Sequence, residues 1–283
     1  SVIFVFYVSN FHKVVATRLA PYLRSGQIVI LGPGYAGSLL FMQALAQCQN
    51  RANVLLVELE TLPYSSRIVA PGLVEISSKN VRHPLAALPA SRTNEACERL
   101  SPLLGACVPR SNILECALHN PNLIVHTTGT ILNAPRIELM KGDFHMYREG
   151  FTESVWRVVH MLDSEKMAVM EQVCGKATSY FDAFVLRTFE DRSIDPLKGF
   201  QRYAQEAPSG PSTINTRYIT EDVPIGLGLL RSLGSCLDVE TPIAESLMRL
   251  AGALLGRDFL AESRTVESLW GDDVNALIEY VSR

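Results

Sequence analysis

The chain has 283 residues, is 47% hydrophobic and 19% charged, and carries a formal net charge of -3 from 26 Lys and Arg against 29 Asp and Glu. This is the profile of an ordinary globular protein with one large or two smaller domains, and it excludes a disordered or fibrous chain. With both signs interspersed there is no basic face on which nucleic acid could bind non-specifically, and no apolar run reaches the roughly 18 residues of a membrane span.

From Val2 to Glu58 short apolar runs alternate with amphipathic segments, the pattern of βαβ units around a parallel sheet. Val2–Tyr7 reads as a buried strand, and since no basic region precedes it a signal peptide is a poor account of it, so the chain is expected to open within a domain. Phe11–Arg24, with Val14, Val15, Leu19 and Leu23 at helical spacing, predicts a helix. Gln27–Leu31 follows as a strand, Ser38–Gln47 as a helix and Val54–Glu58 as a third strand. Arg67–Lys79, rich in Val, Ile and Ser, is read as added edge strands, and Asn94–Leu104 as a helix. Beyond about residue 110 helical patterns take over. They cover Asn112–His119, Asn122–Leu132, a long Thr152–Val173, Asp222–Leu233, Pro242–Leu255, Val266 and Val274–Tyr280, with Ala207–Ser212 a loop by composition. The expected division is an incomplete Rossmann-like domain over residues 1–110 and an all-helical domain over residues 111–283.

The six cysteines, Cys48, Cys97, Cys107, Cys116, Cys174 and Cys236, show neither a C-x-x-C pair nor zinc-ligand spacing with histidine. They read as free thiols of a cytoplasmic protein, and no metal is expected.

Gly32-Pro-Gly34-Tyr-Ala-Gly37 is a literal G-x-G-x-x-G between a predicted strand and a predicted helix, and Glu58 closes the next strand. In a dinucleotide site the glycines would let the backbone approach a pyrophosphate at the helix N-terminus, and the acid would bond a ribose hydroxyl. Two features count against that use. Pro33 removes an amide donor, and a strand-helix unit already precedes the motif. The other reading is a loop that only lines the crevice.

Two later stretches resemble the octopine and nopaline, or opine, dehydrogenase family. They are Asn120-Pro-Asn-Leu-Ile-Val-His126, continuing through Leu132-Asn133 to Arg136-Ile-Glu138, and Arg217-Tyr-Ile-Thr-Glu-Asp222-Val-Pro224, followed by Gly226 and Leu233-Gly234. Asp163-Ser-Glu-Lys-Met-Ala resembles the family's long helix, and Pro21–Leu31 its strand leading to a Pro-Gly loop. The resemblance implies a Rossmann domain followed by a helical domain with the substrate site between them. It places Val2 on about the fourth strand of the sheet, with roughly 75 residues in front of it at about 30 per βαβ unit. The family's own glycine fingerprint would lie there, which makes Gly32, Gly34 and Gly37 a loop at the nicotinamide end of the crevice.

The implied reaction is reductive condensation of an amino acid with a 2-oxo acid, using NAD or NADP as cofactor. It needs a proton-handling group, for which His126 is the candidate because imidazole titrates near neutrality. His126 also reads as a core histidine on the face of Leu123, Ile124 and Ile131. Asp222 would fix its tautomer, or would cap a helix beginning at Val223-Pro224. Arg217 offers a bidentate fork to a substrate carboxylate. Asn122, one turn before His126, could orient the imidazole or bond substrate, a role Asn120 could equally hold. Tyr64 and Arg67 also lie in a family-like stretch, without an assigned role. The competing expectation is a shortened, non-catalytic homologue that keeps a carboxylate-binding cleft or a dimer surface. Exposed apolar faces at an uncovered sheet edge would suit a homodimer.

Overall fold

The computed structural model describes residues 1–283. Its N-terminal part is a five-stranded sheet. Strands β1 (Val2–Val5), β2 (Ile28–Leu31) and β3 (Leu55–Leu59) run parallel. Helix α1 (His12–Leu19) joins the first two strands and α2 (Gly37–Gln47) the second and third. After β3 the chain forms a separate two-stranded hairpin, β4 (Tyr64–Ala70) and β5 (Leu73–Lys79). It re-enters the sheet as β6 (Arg82–Leu88), antiparallel to β3, then passes through α3 (Thr93–Leu104) to β7 (Ala106–Pro109), parallel to β6. The sheet order is β1-β2-β3-β6-β7.

Two expectations need correcting here. The sheet is mixed rather than parallel, because the link from β3 to β6 is a hairpin and not the helical crossover that parallel strands require. The segment Arg67–Lys79 does not extend the sheet edge; it stands apart from it. Its alternation of apolar and polar residues suits a strand, but Ile68, Val69, Leu73, Val74 and Ile76 remain exposed.

The helical part comprises α4 (Ile113–Leu118), α5 (Asn122–Leu132), α6 (Ala134–Met140), α7 (Met146–Glu149), α8 (Glu153–Cys174), α9 (Tyr180–Thr188), α10 (Pro196–Glu206), α11 (Arg217–Thr220), α12 (Gly228–Cys236), α13 (Pro242–Leu255), α14 (Val266–Leu269) and α15 (Val274–Ser282). A π-helical segment, Asp222–Leu227, joins α11 to α12. Pro224 explains it locally: proline has no amide hydrogen to return to Thr220, so the α-helical ladder breaks there. The freed Thr220 carbonyl accepts instead from Asn10 Nδ2 at 3.0 Å.

Helix α5 is the centre of this part, since every residue from Leu123 to Ile131 is buried. Two of its three threonine hydroxyls are satisfied within the helix, Thr127 donating to Leu123 O at 2.7 Å and Thr128 to Ile124 O at 2.6 Å, and the third, Thr130, donates to the Met146 sulfur. One face of the sheet packs on α3 through Ile28, Ile30, Leu55, Val57, Leu85 and Ala87. The other face, with Val29, Leu31, Leu56 and Ala86, belongs to a core that continues without a break into the helical part. β1 forms one edge of the sheet, and beside it Phe4, Phe6, Tyr7, Phe11 and Val14 are exposed. No helix is long and apolar enough to cross a membrane. All six cysteines are free thiols, and no group of three or more His, Cys, Asp or Glu is arranged to hold a metal.

Candidate active site

A cavity of about 760 Å³ opens where the carboxyl ends of β2 and β3 face the helical part, lined by Pro33, Thr61 and Leu62 on one side and by Asn122, His126 and Arg217 on the other. Parallel strands place their carboxyl ends on one edge of a sheet, which is where open α/β sheets hold ligands. The hairpin roofs the cavity through Tyr64 and Arg67, and Arg67 donates to the Ser209 carbonyl at 2.6 Å, tying the roof to the Ala207–Ser212 loop.

His126 and Asp222, far apart in sequence, meet in the interior: imidazole Nδ1 lies 2.8 Å from Asp222 Oδ2. The second carboxylate oxygen accepts from the Tyr35 hydroxyl at 2.8 Å. Asp222 does not cap a helix, because the turn Arg217–Thr220 already precedes it and both its oxygens are taken by side chains. Nδ1 being committed, Nε2 is the nitrogen left for a ligand. The imidazole stacks on Tyr218, with centroids 3.6 Å apart and planes at 14°.

Burial is the main influence on both groups. It lowers the His126 proton affinity well below that of an ordinary imidazole; the Arg217 charge adds to this and Glu221 opposes it. It pushes the Asp222 carboxyl up to about 7, against the pull of Arg217 and of the Tyr35 hydrogen bond. Neither group holds its charge easily alone, so the two titrate as a pair.

Arg217 reaches the cavity wall while its Nη1 stays 3.4 Å from Glu221 Oε2. Glu221 is in turn held by Ser9, whose amide and hydroxyl both donate to Oε1 at 2.8 Å. Arg264, fully enclosed, donates to the Tyr35 carbonyl at 2.7 Å and to the Ser9 carbonyl at 2.8 Å. These bonds draw the β1-α1 turn, the loop after β2 and the π-helical segment into one cluster. The two asparagines are separated plainly. Asn122 lines the cavity, whereas Asn120 is buried and its Oδ1 accepts from the Asn122 amide at 3.0 Å.

The glycine loop is built differently from a phosphate cradle. Glu58, wholly buried, accepts from the amides of Ala36 at 2.9 Å and Ser38 at 2.8 Å and from the Ser38 hydroxyl. The acid that the motif would aim at a ribose therefore occupies the N-terminus of α2 itself, where a pyrophosphate would sit. The glycines answer to packing. A Cβ on Gly34 would lie 2.0 Å from Glu58 Oε2, one on Gly37 2.2 Å from His12 Nδ1, and one on Gly32 2.8 Å from the Phe6 ring. Of this loop it is Pro33 that reaches the cavity.

Sequence reasoning missed Tyr35, Tyr218, Glu221, Arg187 and Arg264. Tyr218 and Glu221 lie inside the Arg217–Pro224 string and could have been singled out with it. Tyr35 occupies a variable position of the glycine motif and carries no sequence signal.

Comparison with known proteins points one way. The family described as NAD/NADP octopine/nopaline dehydrogenase, alpha-helical domain, matches residues 109–255. An opine dehydrogenase of Arthrobacter sp. (strain 1C) is 30% identical over 265 residues, covering 91% of this chain and 72% of that protein. The protein ocs of Agrobacterium vitis is 22% identical over 275 residues, covering 93% of this chain and 74% of that protein. Among solved structures, octopine dehydrogenase with NADH and L-arginine superposes with a TM-score of 0.73 at 17% identity, covering 98% of this chain and 77% of that one. Yersinopine dehydrogenase with NADP+ bound gives 0.65 at 15% identity, covering 100% and 78%.

Proposed function

This chain belongs to the opine (octopine/nopaline-type) dehydrogenase family of oxidoreductases, and from that premise we propose that it joins the amine of an amino acid to a 2-oxo acid and reduces the product at the expense of NADH or NADPH. The observation that carries the reading is the His126–Asp222 pair, 2.8 Å apart, at a cavity that also presents Arg217.

When bound, the nicotinamide supplies the hydride. Relatives of this fold bind NADH or NADP+, and the carboxyl ends of β2 and β3, with Pro33, Thr61 and Leu62 at the cavity wall, suit its nicotinamide end. The N-terminus of α2 does not suit its pyrophosphate, because Glu58 already holds those amides.

The chain's own groups handle charge and protons. Arg217 and Arg67 face the cavity and can each take a substrate carboxylate in a bidentate contact. The amine attacks the 2-oxo carbon and gives a carbinolamine; His126 Nε2 donates a proton to its hydroxyl, which leaves as water, and the protonated imine remains. Asp222 accepts from Nδ1 throughout, fixing the tautomer and stabilising the imidazolium before it gives up its proton. Asn122 can orient substrate from the same helix face.

A second reading, a carboxylate-binding homologue without dinucleotide chemistry, is favoured by the Glu58 staple at α2. Titration of NADH and NADPH by nicotinamide fluorescence, followed by oxidation assays with pyruvate and a panel of amino acids, separates the two. The dehydrogenase reading expects saturable binding and amine-dependent oxidation that falls about 10²- to 10⁴-fold in His126→Ala. A folded chain that binds neither nucleotide at millimolar concentration leaves the second reading in its place.

A further inference from the structure

The cavity wall has an uneven chemistry. It carries three guanidinium groups, Arg67, Arg187 and Arg217, and no aspartate or glutamate. Three carboxylates just behind the wall are already engaged. Glu60 lies between Arg110 Nε at 2.6 Å and Arg187 Nη1 at 3.3 Å, Glu221 takes Ser9 and Arg217, and Asp222 takes His126 and Tyr35. Six aromatic rings, Tyr64, Tyr147, Tyr180, Phe184, Tyr203 and Tyr218, line it among neutral Ser, Thr and Asn side chains.

We infer that the amino acid joined in this cleft carries a neutral, aromatic or bulky apolar side chain rather than a cationic one. The inference rests on the reaction proposed above, and it names the substrate class of that same site. The condensation brings two carboxylates into the cavity, one from each substrate. Arg67 and Arg217 are the guanidinium groups placed to meet them, Arg67 while it keeps its bond to the Ser209 carbonyl and Arg217 while it also holds Glu221, and Arg187 is held by Glu60. A guanidinium or ammonium at the end of the amino-acid side chain would lose water, meet no carboxylate on the wall and face like charges. An aromatic or branched apolar side chain would instead bury its surface against the ring-lined wall. A second carboxylate on the amino acid would find no uncommitted cation once the first two were placed.

The test uses the whole chain and two condensation products, N-(1-carboxyethyl)phenylalanine and N-(1-carboxyethyl)arginine, titrated calorimetrically, so that the cleft is read without turnover. The phenylalanine product is expected to bind at least about tenfold more tightly, a difference of about 1.4 kcal/mol. Ser66→Asp, which adds a carboxylate to the wall, is expected to narrow that ratio. Amine-dependent oxidation of NADH or NADPH with pyruvate should rank phenylalanine and leucine above arginine, lysine and glutamate. If the arginine product binds as well or better, or if arginine or glutamate is turned over best, the inference is overturned and the opine reaction stands. If neither product binds at millimolar concentration and no amine accelerates oxidation, the opine reading itself fails and the inference falls with it.

Discussion

Tyr35 reaches Asp222 through two successive non-glycine residues in the left-handed region, Tyr35 at φ 49° and Ala36 at φ 59°. Such residues cost roughly 1–2 kcal/mol each, and conformations of this kind cluster where the surrounding structure holds a functional group in place. Here the hold comes from Arg264 on the Tyr35 carbonyl and Glu58 on the Ala36 amide. Gly226 makes room, since a Cβ there would lie 3.0 Å from the Tyr35 hydroxyl. Tyr35 is thus a positioning residue for the proposed acid-base pair, and pH should expose it. Reductive joining requires the pair to arrive protonated, and the Asp222 carboxyl is pushed up to about 7, so the rate in that direction should fall as pH rises through about 7. The Tyr35 hydrogen bond favours the ionised carboxylate; removing it in Tyr35→Phe should raise that value and move the falling limb to higher pH. Asp222→Asn should lower the rate on the order of 10²- to 10⁴-fold. It should also move the limb to lower pH, because burial and the Arg217 charge then act on the imidazole with only Glu221 opposing them. Profiles of kcat/KM against pH for both variants check this, and limbs that stay in place would mean that Tyr35 only packs.

At the scale of elements, the glycine loop shows how a motif can keep its spacing and lose its ligand. Glu58 ends β3 with its carboxylate bonded across to the start of α2, so strand and helix are fastened directly where a dinucleotide site would interpose a phosphate. Gly34→Ala forces a methyl onto that pinned carboxylate. It should destabilise by about 1–3 kcal/mol, the usual cost of overpacking, and thermal melting is the measurement; an unchanged Tm would mean that the loop yields. The same scale explains which elements could be read in advance. Helices α5, α8 and α13 have long, regular apolar spacing and were expected within a residue or two of where they lie. Strand β6, with Pro84, Ala86 and Ala87, lacks the β-branched and aromatic residues that mark a strand, and β7 is too short to show a period. Helices α9 and α10 were missed although α10 buries Phe200 and Ala204 on one face, a one-sided pattern that was there to be read.

For the whole molecule, the junction between the sheet and the helical part is a buried ionic cluster. Glu60 just after β3 meets Arg110 after β7 and Arg187 of α9, and Arg110 also reaches Glu115 at 3.3 Å. Burial pushes the Glu60 carboxyl up, and the two guanidinium groups oppose that shift. Removing one partner of a buried pair leaves a charge without compensation, at a cost of about 3–5 kcal/mol. Arg110→Met should therefore lower the urea midpoint strongly, and Glu60→Gln added to it should restore part of the loss. Two independent, additive effects would show that the groups are not coupled. Because Arg187 belongs both to this cluster and to the cavity wall, the junction that holds the two parts together also shapes the cavity.

The sequence by itself determined the α/β-then-helical order, the long helices and the candidates His126, Asp222, Arg217 and Asn122, because periodicity and a family-like string are local properties. Tertiary structure decided the antiparallel half of the sheet, the hairpin roof, the bond from Tyr35 to Asp222 and the closure of the glycine loop by Glu58. It also decided that the cavity wall carries cations and rings but no free acid. The physical reason is common to all of these. Which charge compensates which, and which side chain reaches which hydrogen-bond partner, depends on distances through space between segments that the chain order leaves far apart.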